Sequence, residues 1–185
     1  LDATKSALGD AARFLPMAKG NQWVYDISGG TVTLGADKKI ADQTINPISF
    51  PAGGKLYLKV ADNQVRFYGL YLPTVYTDFG SFSLDFSMDK GVNLFSSTNN
   101  SGRGSVNISP TYGKRDLNWN TQVTYLGSEQ VAVPAGNYTA LHTRIYFSGN
   151  ATVDGVPVSI EYQSDFWFAE GVGLVKIINQ GAELK

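Results

Sequence analysis

The stretch Leu141-His142-Thr143-Arg144-Ile145-Tyr146-Phe147-Ser148-Gly149-Asn150-Ala151-Thr152-Val153-Asp154-Gly155-Val156-Pro157-Val158-Ser159-Ile160-Glu161-Tyr162-Gln163-Ser164-Asp165-Phe166-Trp167-Phe168 decides the fold. Asp154-Gly155 is a dipeptide that a two-residue type I′ turn prefers, because both central positions need positive φ. Folding the chain there sets Phe147 opposite Tyr162, Ile145 opposite Ser164, Thr143 opposite Phe166 and Leu141 opposite Phe168. That face is largely apolar. The other face sets Ser148 against Glu161, Tyr146 against Gln163, Arg144 against Asp165 and His142 against Trp167. A slip of one residue would scramble both faces, so the register is strongly specified.

Period-two alternation continues outward from this hairpin. Phe82, Leu84 and Phe86 alternate with serines and Asp85, and Leu56, Leu58 and Val60 alternate with Lys55, Tyr57 and Lys59. Asp62-Asn63 reads as a second tight turn, with Val65 opposite Val60 and Phe67 opposite Leu58. Gly29-Gly30 reads as a third, with Val32 opposite Ile27 and Leu34 opposite Tyr25. Trp119 to Tyr125, Glu129 to Val133 and Leu174 to Ile178 read as further strands, and Val106 and Ile108 mark a short one. Residues 96–104 hold only Ser, Thr, Asn, Gly and Arg, which predicts a mobile surface loop. The one helical pattern covers residues 2–15, where Leu8, Ala11, Ala12 and Leu15 share a face and Pro16 closes it. Strands that follow one another without helices predict a single domain over 1–185. It is all β with one short N-terminal helix, and its antiparallel strands span 20–180. They form a sheet curled into an open or half barrel, or else a β-sandwich.

Composition narrows the function. The 185 residues carry a formal net charge of −1, and no basic stripe of the kind nucleic acid requires is present. No apolar run reaches the length of a membrane span. There is no cysteine, which excludes disulfides, thiolate metal sites and cysteine nucleophiles from these residues.

Catalytic sets are missing. His142 is the sole histidine, and no G-x-S-x-G elbow surrounds any serine. Glu161 and Asp165 share a strand face, but four strand residues separate them by roughly 13 Å, beyond the carboxylate spacings of glycosidases. Asp165 reads as the cross-strand partner of Arg144. Asp85 and Asp89 lack the loop that calcium favours, and the Gly-x-Gly pairs lack a phosphate cradle. The expectation is therefore no catalytic residue, no metal and no cofactor.

Three patches share a pattern. They are Phe14-Leu15-Pro16-Met17-Ala18-Lys19-Gly20-Asn21-Gln22-Trp23-Val24-Tyr25, Val131-Ala132-Val133-Pro134-Ala135-Gly136-Asn137-Tyr138-Thr139-Ala140-Leu141 and Trp167-Phe168-Ala169-Glu170-Gly171-Val172-Gly173-Leu174-Val175-Lys176. In this order the chain resembles uncharacterised bacterial exported proteins and lipoproteins with an FPLxxGNxWxY, VPAGxYxA and WFAxGVGLVK pattern, distantly likened to lipoprotein-carrier half-barrels. Leu15 and Met17 stand where that pattern has Phe and Leu. The resemblance implies an extracytoplasmic location: periplasmic, associated with the outer membrane, or secreted. It brings no catalytic residues.

The aromatic strand faces supply the remaining signal. A sheet that curls without closing tightly would use Phe67, Phe82, Leu84, Phe86, Ile160, Tyr162 and Phe166 to line a cavity for a lipid or other apolar small molecule. The expected function is thus non-enzymatic binding of such a ligand or of a cell-envelope protein partner. The alternatives are a structural or adhesive surface module with a solid core, and a carboxylate-dependent hydrolase. The two-faced aromatic run Phe67-Tyr68-Gly69-Leu70-Tyr71-Leu72-Pro73 is a further candidate surface for a partner or a glycan.

Overall fold

The computed structural model describes residues 11–17, 22–25, 30–77 and 80–184, and the side chains of 11–17, 32–76 and 81–179. The described residues are nearly all strand, with one short 3-10 turn, which makes the fold all β. The strands are β1 (Gln22–Tyr25), β2 (Gly30–Leu34), β3 (Lys38–Ile40), β4 (Gln43–Ile45), β5 (Ile48–Ser49), β6 (Lys55–Ala61), β7 (Gln64–Thr77), β8 (Gly80–Asn93), β9 (Thr98–Ser109), β10 (Gly113–Val133), β11 (Gly136–Val153), β12 (Val156–Ala169) and β13 (Gly173–Leu184). Eleven of them form one antiparallel sheet in the order β1-β2-β5-β6-β7-β8-β9-β10-β11-β12-β13, and β3-β4 is a separate two-stranded hairpin. Strand order follows chain order, so the sheet is an up-and-down meander. It curls without closing into a barrel, and the described strands form no second large sheet that would make it a sandwich.

Two turns act as their sequence predicts. Asp154 has φ 51° and Gly155 φ 83°, and the β11–β12 ladder pairs Phe147 with Tyr162, Arg144 with Asp165 and His142 with Trp167. Asp62 and Asn63 have φ 51° and 55°, and Val60 pairs with Val65 and Leu58 with Phe67. Positive φ at both central residues matches the turn's twist to that of the strands.

Other expectations are corrected. Val32 pairs with Trp23, not Ile27, and Tyr25 pairs with Gly30, not Leu34. Gly30 serves as a strand residue, because a glycine pair permits a turn without imposing one. Leu34 pairs with Ile48 instead. Residues 98–104, expected as loop, belong to β9 and ladder with β10 from Thr98↔Val123 to Gly104↔Leu117. Their glycines answer to crowding rather than to turning. A Cβ on Gly102 would lie 2.6 Å from the Trp119 ring, and one on Gly104 would lie 2.1 Å from the Ser87 carbonyl oxygen. The last strand runs on from Ile178 to Leu184. The expected helix over 2–15 lies mostly outside the described residues, and its described end is a single 3-10 turn, Ala11–Arg13.

The concave face holds the main core. Phe67 packs against Phe86, Tyr162 and Phe166 at ring-centroid distances of 6.3, 6.4 and 6.3 Å, and Phe86 stacks on Phe147 at 4.2 Å. Buried Ala11, Phe14 and Leu15 plug one end of the trough. There Phe14 meets Phe95 edge-on at 5.8 Å, and Phe95 meets Phe168 at 5.4 Å. The Arg13 carbonyl accepts from the Gly171 amide at 2.6 Å, and Arg13 also forms an ion pair with Glu170. On the convex face, β3-β4 docks Ile40 and Ile45 against Tyr57 and Tyr68. This burial, together with the Asp85 charge, pushes the Tyr57 phenol well above its ordinary pKa. Lys38 Nζ donates to both Asp85 oxygens at 2.7 and 2.8 Å, and Tyr57 donates to Asp85 Oδ1 at 2.9 Å.

Candidate functional site

The curl brings β13 beside β7, but these two strands are not ladder neighbours. No ladder joins them, and a gap remains along the seam among the described residues. A cleft of about 260 Å³ lies there, walled by Leu56 of β6, by Leu70, Leu72 and Pro73 of β7, and by Tyr162 and Ile177 of β12 and β13. Leu70 and Leu56 are ladder partners, so the register of β6 and β7 places their side chains side by side on the concave face. Tyr162 and Phe168 lie six residues apart on β12, about 20 Å, so the cleft lies away from the plugged end of the trough.

Polar groups interrupt the largely apolar walls of this cleft, Asn179 of β13 among them. Lys55 lines its rim, with its ammonium 5.9 Å from the centroid of the Tyr71 ring. The Tyr162 hydroxyl is fully buried and has no hydrogen-bond partner among the described residues. Burial raises its pKa, since a phenolate there would be desolvated. The neighbouring Ser164 hydroxyl acts the other way, but it donates to the Ile178 carbonyl at 2.9 Å.

The residues expected to line a cavity divide into three groups. Phe67, Leu84, Phe86, Ile160 and Phe166 are fully buried in the packed core. Tyr162 alone lines the seam cleft. Phe82 is half-buried, 5.7 Å from the Tyr112 ring, and lines a separate shallow depression beside Pro73 and Pro110. Phe50, Leu72 and Ile177 were missed as lining residues. Nothing local distinguishes Ile177 from a core residue, because its place at the seam follows from where the curl ends.

A polar cluster occupies the convex face at His142. Its Nε2 lies 2.7 Å from Asp165 Oδ1, and its Nδ1 lies 3.1 Å from Glu129 Oε1. The ring stacks on Trp167 at 4.1 Å, and Lys176 Nζ stands 4.7 Å from the Trp167 ring centroid. Trp167 Nε1 donates to Glu129 at 2.5 Å, and Arg144 Nε donates to Asp165 at 3.1 Å. Glu129 joins this face through a bulge. The ladder passes from Tyr125↔Thr143 to Gly127↔His142, leaving Leu126 unpaired, so the face of the following residues inverts. Both imidazole nitrogens face carboxylates, which orients the ring between Glu129 and Asp165. Asp165 is buried and held by two donors. The cluster is built to fasten β10, β11 and β12 together.

The chain matches no family model, no curated protein and no solved structure.

Among the described residues no helix is long and apolar enough to cross a membrane, and no group of three or more His, Asp or Glu side chains is placed to hold a metal ion.

Proposed function

We propose that this protein is a non-enzymatic, extracytoplasmic binding protein that holds the apolar part of a lipid-like ligand in the cleft between β7 and β13. The observation that carries the reading is that cleft of about 260 Å³, walled mainly by leucine, isoleucine, proline and tyrosine where β13 lies beside β7 without pairing to it. Apolar clefts with few polar groups are the usual form of a small-molecule site. Lys55 at the rim favours a ligand whose polar end is anionic. The extracytoplasmic location rests on the three sequence patches from Phe14, Val131 and Trp167.

Titration with oleate, followed by native mass spectrometry, tests the reading. One oleate per chain is expected, and Leu72→Trp, which fills the cleft, should abolish it. Lys55→Glu should weaken it by about tenfold, as for the loss of one charge-assisted contact. Phe82→Ala should leave it unchanged. Absence of oleate binding, or equal binding by Leu72→Trp, would overturn the proposal. The ring-packed interior around Phe67 and Phe86 supports a second reading, a structural or adhesive module, which that outcome would select.

A further inference from the structure

The strand β9, whose residues 98–104 were expected as a loop, completes a surface with its own chemistry. Its ladder with β10 and the β10–β11 ladder align Asn99 with Gln122 and Tyr146 in one row across three strands. The next row aligns Ser101 with Asn120 and Ser148. These six side chains line a trough of about 300 Å³ on the convex face, where the two serines leave space beside the longer amides. No charged side chain lines it.

Among the described residues, none of the six side chains makes a hydrogen bond to the protein. Cross-strand polar pairs elsewhere in the same sheet do bond: Ser87 with Ser105 at 3.2 Å, and Gln130 with Thr139 at 2.6 Å. The trough therefore holds unspent donors and acceptors on a rigid frame. Each amide offers two donors and an acceptor, and each hydroxyl offers both roles. Tyr146 is 37% exposed and adds an aromatic surface.

We propose that this trough binds a neutral glycan chain. Sugar hydroxyls donate and accept in turn, as the amide and serine rows do. A pyranose ring has an apolar face that suits an exposed tyrosine. Rows about 7 Å apart along strands spaced about 4.8 Å give an ordered grid for such a chain. A nucleic acid would need a cationic stripe, and no charged side chain lines the trough.

The test uses the isotope-labelled full chain titrated with cellohexaose, chitohexaose and maltohexaose, read by amide chemical shifts. At least one should shift residues 99–101, 120–122 and 146–148 together, in saturable fashion. Asn120→Ala/Gln122→Ala should weaken it by about tenfold, as for two hydrogen bonds lost. Tyr146→Ala should weaken it similarly. All three positions are exposed, so thermal midpoints should hold. Thr152→Ala, exposed on β11 beyond the trough, is the control and should bind as the parent does. No saturable shift with any of the three probes, shifts centred elsewhere, or undiminished binding by both variants would overturn the proposal.

Discussion

Tyr162 and Asp165 are both buried polar residues on β12, and they meet their surroundings in opposite ways. Tyr162 keeps a hydroxyl without a partner among the described residues. Replacing it by Phe removes a desolvated group and keeps the ring packed against Phe67. Tyr162→Phe is expected to be neutral or stabilising by up to about 1 kcal/mol near pH 7. The same substitution should change the alkaline limit of stability. Folding raises the Tyr162 pKa above its unfolded value of about 10. Below that pH both states keep the proton and the full stability is present. Above it the unfolded chain releases the proton while the folded chain retains it, so stability falls as pH rises. Urea unfolding at pH 7 and pH 11 should show a smaller loss in Tyr162→Phe than in the parent, and equal losses would refute the assignment. Asp165 is satisfied by His142 and Arg144. Asp165→Ala strands both donors, but Arg144 is half-exposed and rehydrates, so the expected cost is about 1–3 kcal/mol. Glu129→Ala, at a half-exposed carboxylate, should cost less than about 1 kcal/mol. The midpoint shift at constant m reads both, and a reversed order would refute the roles given to the two carboxylates.

At the scale of the element, β9 shows why polar composition can mislead. Asn, Ser and Gly are poor strand formers in isolation, yet pairing along β10 and part of β8 holds this segment extended. Gly104→Ala would drive a Cβ into the Ser87 carbonyl, a backbone atom that cannot swing aside. A cost of about 3 kcal/mol is expected, whereas Ser101→Ala on the same strand should cost under about 0.5 kcal/mol. Equal midpoints for the two variants would show that β9 yields easily. The contrast marks what was legible beforehand. The Asp62-Asn63 and Asp154-Gly155 hairpins could be registered because local backbone chemistry and apolar alternation agree there. The Trp23–Val32 pairing could not, because Gly29-Gly30 permits more than one reversal. Glu129 could not be placed beside His142, because the bulge at Leu126 depends on how two long strands twist together. Tyr57 alternates with Leu56 and Leu58 in the sequence, and nothing local reveals that β3-β4 folds over it. The aromatic faces were legible as apolar, but whether a ring fills the core or lines a cleft depends on where the curl stops.

At the scale of the molecule, the sheet is unevenly bound together. Strands β9 to β12 are joined by long ladders, with β10 and β11 paired from Asn118↔Asn150 to Val133↔Gly136. By contrast β5 is two residues long. It meets β2 only through Thr33↔Ser49 and Leu34↔Ile48, and β6 only through Ile48↔Leu56 and Ser49↔Lys55. Cooperative units with few ladder bonds open at lower free energy than the body they attach to. Amide exchange in β1, β2 and β5 should therefore proceed through local opening, while β10, β11 and β12 exchange only on global unfolding. Uniform protection across the sheet would refute this division. The weak unit also borders the cleft, since Leu56 and Phe50 wall it and Leu56 is the ladder partner of Ile48. Opening at β5 would widen the seam without disturbing the ring-packed core. A ligand held between β7 and β13 draws part of its affinity from contacts that exist only when β5 is closed, and it must shift that equilibrium by linkage. Saturating oleate should accordingly slow exchange at Ile48, Ser49 and Leu56 and leave β11 unchanged. Slowing spread evenly over the sheet would mean that the ligand stabilises the whole fold and that β5 is not the gate.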